Sequence, residues 1–144
     1  MSNCIRATVE LRIPFHDVDA ASIVWHGNYF KYFEAARVAL LDKLDYGYTR
    51  MAESGFIWPV VDLCARFSRP ITFDQYVRVE ASLLEWEYRM KIAYEISDQD
   101  NNMLGKGMTV QVPLKLDSRE LVLGTPHFLS ERIEAVLKAG DSES

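Results

Sequence analysis

From Asn28 to Leu44 the chain reads Asn-Tyr-Phe-Lys-Tyr-Phe-Glu-Ala-Ala-Arg-Val-Ala-Leu-Leu-Asp-Lys-Leu, with no glycine or proline. Wound as a helix, this stretch shows apolar side chains at nearly every angle. Its polar exceptions, Lys31, Glu34, Asp42 and Asp45, fall along one stripe. A helix that is apolar most of the way round has to be buried, so the rest of the chain must wrap it. Tyr46-Gly47 is placed to end the helix, and Thr49 to Glu53 adds a further turn before Gly55.

The rest of the chain supplies strands. Five segments alternate with period two, the mark of a strand with one buried face. Their expected inner faces are Ala7 to Phe15, Val61 to Phe67, Val77 to Leu83, Met90 to Ile96 and Met108 to Leu116, each taken at alternate residues. Asp98-Gln99-Asp100-Asn101-Asn102 joins the last two as a turn, which predicts an antiparallel hairpin. Thr125-Pro126 is placed to open a C-terminal helix with Leu129, Ile133, Val136 and Leu137 on one face, and Gly140 to close it. The order is an α+β architecture in which an antiparallel sheet of about five strands wraps a long central helix, the arrangement called a hotdog fold. One domain over 1–144 is expected, with its core at about 6–138 and a flexible tail at 139–144. Edge strands and an uncovered sheet face would be resolved by a second copy, so a homodimer or homotetramer is expected.

Composition narrows the partners. A net charge of −5 disfavours nonspecific nucleic-acid binding. The first residues lack a signal-peptide pattern, and no apolar run reaches membrane length, so the chain reads as cytoplasmic without membrane insertion. Cys4 and Cys64 are too few for a disulfide framework, and Cys64 reads as a buried reduced thiol rather than a nucleophile.

The chemistry concentrates just before the central helix. His16, Asp17, Asp19 and His26 fall within eleven residues, and such groups are costly to desolvate without a task. A helix start adds unpaired backbone N–H groups with partial positive charge. A carboxylate aimed at a reactive carbon, with those N–H groups facing the carbonyl oxygen, suits acyl transfer. The competing reading of Asp19 is an Asx-turn or helix cap that organises the loop. Asp17 reads as a structural hydrogen-bond acceptor, and the histidine spacing matches no tight metal-ligand motif. Glu34 and Arg37, at i and i+3, are expected to pair with each other.

The run Asp17-Val18-Asp19-Ala20-Ala21-Ser22-Ile23-Val24-Trp25-His26-Gly27-Asn28-Tyr29, followed by Phe33-Glu34-Ala35-Ala36-Arg37, resembles hotdog thioesterases of the 4-hydroxybenzoyl-CoA and YbgC-like acyl-CoA type. The resemblance covers about Arg6 to Leu116. It implies that Asp19, the second acid of Asp-x-Asp, attacks the thioester carbonyl or activates the water that does. It also implies that the backbone N–H of His26 faces the thioester oxygen, with Gly27 allowing close approach. Trp25 is shared with the 4-hydroxybenzoyl-CoA enzyme, which carries Tyr where this chain has His26. Trp25 and Tyr29 are candidates to line the acyl site, and Arg66, Arg69, Arg89 and Lys91 to meet the coenzyme A phosphates; solvated cross-strand pairing is the alternative for each of the four. The implied activity is hydrolysis of an acyl-CoA to a carboxylic acid and CoA, with no metal and no redox cofactor. A hotdog dehydratase or hydratase acting on acyl thioesters and a noncatalytic acyl-thioester binding module are the rival readings.

Overall fold

The computed structural model describes residues 4–143. The apolar stretch forms the helix α1 (Tyr29–Lys43), preceded by β1 (Arg6–Arg12). After it come α2 (Tyr48–Glu53), β2 (Phe56–Ile57), β3 (Val60–Phe67), β4 (Tyr76–Glu85), β5 (Met90–Ser97), β6 (Met103–Gln111), β7 (Leu114–Lys115) and α3 (His127–Glu143). Five strands make one sheet in the order β1-β4-β5-β6-β3, with every neighbouring pair antiparallel. β2 and β7 form a separate small ribbon.

α1 packs on β1, β4 and β5 and buries Tyr32, Phe33, Ala36, Leu40 and Leu41 against them. The facing sheet residues are the expected ones on β4 and β5: Val77, Val79, Ala81 and Leu83, then Met90, Ile92, Tyr94 and Ile96, all buried. Each large side chain buried here contributes roughly 1.5–3 kcal/mol relative to exposure. The β5–β6 hairpin turns at Asp98, whose Oδ1 accepts the N–H groups of Asp100 and Asn102 at 2.9 Å each. α3 lays Leu129 and Ile133 into the core, and its Arg132 reaches the carbonyl and carboxylate of Asp45 at the end of α1.

Four expectations are corrected. On β6 the residues facing the helix are not Met108 and Val110 but Gly105, Gly107, Thr109 and Gln111. A Cβ at Gly105 would lie 3.1 Å from the Tyr29 ring, and one at Gly107 only 2.3 Å from the Phe33 ring. The rings of α1 fill the space where side chains would stand, so the inner face of this strand is written in glycine and hides its own phase. The first strand stops at Arg12, before Pro14, and Phe15 lies 75% exposed in a short 3-10 turn. The expected buried face of the second strand, Val61, Leu63 and Phe67, is exposed, as is Cys64, because β3 is an edge strand beyond the cover of α1. Finally, Gly140 does not end α3, which continues to Glu143.

Candidate active site

The segment between β1 and α1 folds as a small hairpin. The Asp19 N–H donates to the Ile23 carbonyl at 2.8 Å, Val18 and Val24 bridge, and the Trp25 N–H donates to the Asp17 carbonyl at 3.0 Å. Ser22 takes a left-handed φ of 63° to close the turn. The hairpin is held to the connection between β3 and β4 by the Val24 N–H on the Ile71 carbonyl at 2.8 Å. His26 to Asn28 then form one 3-10 turn leading directly into α1.

This path brings Asp19, His26 and Tyr29 to one cleft of about 320 Å³, which Arg69 joins from the connection between β3 and β4, with Ile23, Val24, Phe67, Ser68 and Pro70 completing its wall. Asp19 is exposed to it. Asp19 Oδ1 accepts the N–H of Ala21 at 2.8 Å and of Ile23 at 3.4 Å, so one carboxylate oxygen does form the Asx-turn. Oδ2 has no hydrogen-bond partner among the described residues. The His26 N–H is the first of its 3-10 turn and likewise has no acceptor among them. The lining therefore includes a residue with an unpartnered carboxylate oxygen and a residue with an unpartnered backbone donor. That pairing can take a proton or bond to a carbonyl carbon while holding the carbonyl oxygen.

His26, Tyr29 and Phe67 give the cleft aromatic walls, whereas Trp25, expected among them, is outside the lining and packs on His26 from beside it. The His26 ring lies between Trp25 (centroids 5.0 Å apart) and Phe67 (6.4 Å), and Tyr29 meets Phe67 edge-on at 4.6 Å. Burial pushes the Tyr29 phenol above its usual range, so it stays neutral. Gly27 has a reason other than ligand approach: a Cβ there would stand 2.2 Å from the Trp25 ring, which lies over it. Trp25 itself is 53% exposed.

The other candidates separate. Arg66 is exposed on β3 opposite Lys106 and does not line this cleft. Arg89 sits at the β4–β5 turn, where its Nε donates to Glu85 Oε2 at 2.9 Å beside a different hollow. Lys91 lies in register with Glu85 and Val110. Arg37 pairs with Glu34 as expected, and the Tyr48 hydroxyl also donates to Glu34.

Asp17 holds the hairpin. It is 2% exposed, and its carboxylate accepts from the Tyr32 hydroxyl at 2.8 Å and from Lys31 Nζ. His16 Nε2 stands 3.6 Å away. Burial raises the Asp17 carboxyl, but the Lys31 and Tyr32 hydrogen bonds outweigh it and leave it below the usual carboxylate range. Sequence reasoning missed Lys31 and Tyr32 here, since both read as members of helix faces. The available signal was a lysine in the first turn of a mostly buried helix, close after an acid-rich loop.

Comparison with known proteins identifies the family and the fold. Residues 13–136 match the family model of the thioesterase-like superfamily. The 4-hydroxybenzoyl-CoA thioesterase of Pseudomonas sp. (strain CBS-3) is 32% identical over 82 residues, which span 55% of this chain and 58% of that enzyme. A DHNA-CoA thioesterase structure from Staphylococcus aureus superposes with a TM-score of 0.80 at 25% identity, covering 94% of this chain and 95% of that one. A 1,4-dihydroxy-2-naphthoyl-CoA thioesterase from Synechocystis shares the fold with a TM-score of 0.80 at 19% identity, over 94% and 98% of the two chains. With its helix-wrapping antiparallel sheet and this match along most of its length, the chain belongs to the thioesterase-like superfamily and is a hotdog-fold thioester hydrolase.

Proposed function

We propose that the protein hydrolyses an acyl-CoA thioester to a free carboxylic acid and CoA, using Asp19 and the backbone N–H of His26. The observation that carries this reading is the cleft lined by both Asp19 and His26, whose Oδ2 and backbone N–H respectively are without partners among the described residues. In one route Asp19 takes a proton from a water whose oxygen bonds to the thioester carbon. In the other, Asp19 bonds to that carbon itself, and water cleaves the resulting anhydride. Either way the carbonyl oxygen becomes an oxyanion opposite the His26 amide, and the C–S bond breaks to release CoA thiolate. A positioned general base is typically worth ~10²–10⁴ in rate, and one oxyanion donor about 10²–10³.

Relatives named as 4-hydroxybenzoyl-CoA and DHNA-CoA thioesterases, together with the aromatic walls formed by His26, Tyr29 and Phe67, favour an aromatic acyl group. Because Arg69 lines the cleft, its position supports a role in binding a CoA phosphate. The unpaired outer edge of β3, with exposed Val61, Leu63 and Phe67, supports pairing with a second copy. Because Phe67 also lines the cleft, that copy would wall the site. A single domain in a cytoplasmic setting belongs to the same proposal; no helix among the described residues is long and apolar enough to cross a membrane.

The test is thiol release from a panel of aromatic and aliphatic acyl-CoAs, followed with a disulfide-exchange dye. Release from at least one aromatic member is expected. Acyl-CoA binding without any release would contradict the proposal in favour of a binding module. Hydration of an enoyl-CoA without release would contradict it in favour of a hydratase.

A further inference from the structure

Both ends of the hairpin that carries the proposed site meet at a single atom. The Asp17 carbonyl oxygen accepts the Trp25 N–H at 3.0 Å and Asn28 Nδ2 at 2.8 Å. Asp19 leaves this point along one arm and His26 along the other, so any rotation of Asp17 moves the carboxylate and the amide donor together. The side chain of Asp17 is fixed in turn by two residues at the start of α1. The Tyr32 hydroxyl donates to Oδ2 at 2.8 Å from a position only 3% exposed, and Lys31 Nζ donates to Oδ1 from the surface. None of Asp17, Lys31 or Tyr32 lines the cleft.

We infer that Lys31 and Tyr32 are positioning residues for hydrolysis, acting through Asp17 to set where Asp19 and the His26 amide stand relative to the bound thioester. The inference rests on the thioesterase reading above. A buried carboxylate needs paired donors for stability alone. Here, however, the donors come from the helix whose N-terminus faces the cleft, while the acceptor residue ties the hairpin's two strands. The clamp therefore couples the helix start to both working groups, and loosening it shifts them without removing a substrate contact. A misplacement of about 1 Å can lower the rate about 100-fold.

The experiment compares steady-state thiol release and thermal melting for the parent, Tyr32→Phe, Lys31→Met and Lys31→Arg. Tyr32→Phe removes one buried hydroxyl. Lys31→Met alters a half-exposed side chain and keeps the variant set informative should the buried change unfold the protein. Both are expected to lower kcat about 10-fold or more through displaced working groups. KM should stay within about twofold, because substrate contacts are retained. Lys31→Arg, which restores a donor to Asp17, should recover most of the lost kcat. A parent that hydrolyses acyl-CoA beside a Lys31→Met variant of equal kcat would overturn the positioning role alone. An arginine variant no better than the methionine variant would do the same. A parent releasing no thiol from any acyl-CoA would overturn the thioesterase reading, and this inference with it.

Discussion

Asp19 Oδ1 accepts the backbone N–H of Ala21 at 2.8 Å, so the turn that presents this carboxylate is also built by it. Asparagine keeps an acceptor at that position, whereas alanine has none. Asp19→Asn is therefore expected to unfold in urea within about 0.5 kcal/mol of the parent, as a surface change does. Asp19→Ala should lose about 0.5–1.5 kcal/mol, the net worth of one hydrogen bond. Equal losses in both variants would show that the turn does not depend on Oδ1.

Two glycines make opposite predictions for the same substitution. At Gly107 a Cβ would meet the Phe33 ring at 2.3 Å and the Cys64 carbonyl at 2.8 Å, and neither is free to yield. Gly107→Ala should cost about 1–3 kcal/mol, in the range of core overpacking. At Gly27 the obstacle is the Trp25 ring at 2.2 Å, and that ring is half-exposed and can swing out. Gly27→Ala should leave stability within about 0.5 kcal/mol but change the near-ultraviolet circular dichroism of Trp25 and lower activity. Unaltered aromatic dichroism would contradict the placement of the ring.

Acid stability should report on Asp17. Its carboxyl titrates below the usual range in the folded chain because the Lys31 and Tyr32 hydrogen bonds outweigh burial. A depressed folded value contributes stability above the unfolded value of about 3.9, and that contribution is lost as pH falls through the lower folded value. Asp45, Asp74 and Glu85 are shifted the same way but are exposed, where such pairs contribute little; Asp98 is also lowered, by the hydrogen bonds it accepts from Asn102 in the β5–β6 turn, and is unchanged in the Asp17 comparison. Urea melts of Asp17→Asn against the parent should differ most near neutrality and converge as the pH drops below about 4. A gap that stays constant with pH would rule out the ionised clamp.

The free edge of β3 predicts assembly. Lysines at Val61 and Leu63 place charge on the exposed apolar edge, a device that blocks strand pairing. Sedimentation equilibrium should give the parent a multiple of the 16.6 kDa chain mass and Val61→Lys/Leu63→Lys the single-chain value. A parent at single-chain mass would contradict pairing along β3.

Much of this was legible in the sequence because the signals were local. The gap-free apolar run gave α1, and the alternation in Val77 to Leu83 and Met90 to Ile96 gave the central strands with the correct faces. The phase of β6 was not legible, since Gly105 and Gly107 carry no hydropathy signal and are explained only by the Tyr29 and Phe33 rings above them. Nor was the exposure of Leu63 and Phe67, because an edge strand beyond the cover of α1 is patterned like a covered one. In the site, Asp19, His26 and Tyr29 converge as a short loop and its helix allow, and Arg69 joins them from the connection between β3 and β4. Arg89 was read beside them but lies at the far β4–β5 turn, a separation that depends on strand length rather than residue type. The Lys31–Asp17–Tyr32 clamp joins positions fourteen and fifteen residues apart through folding, and no spacing rule exposes it.

The central claim is that the Asp19 carboxylate performs the hydrolysis. The most direct measurement is kcat for thiol release by Asp19→Asn against the parent on its best aromatic acyl-CoA. The comparison is meaningful because asparagine preserves the turn. The expected result is a loss of at least ~10²-fold with the variant still folded, the scale of a removed general base. A folded Asp19→Asn with undiminished turnover would take Asp19 out of the mechanism.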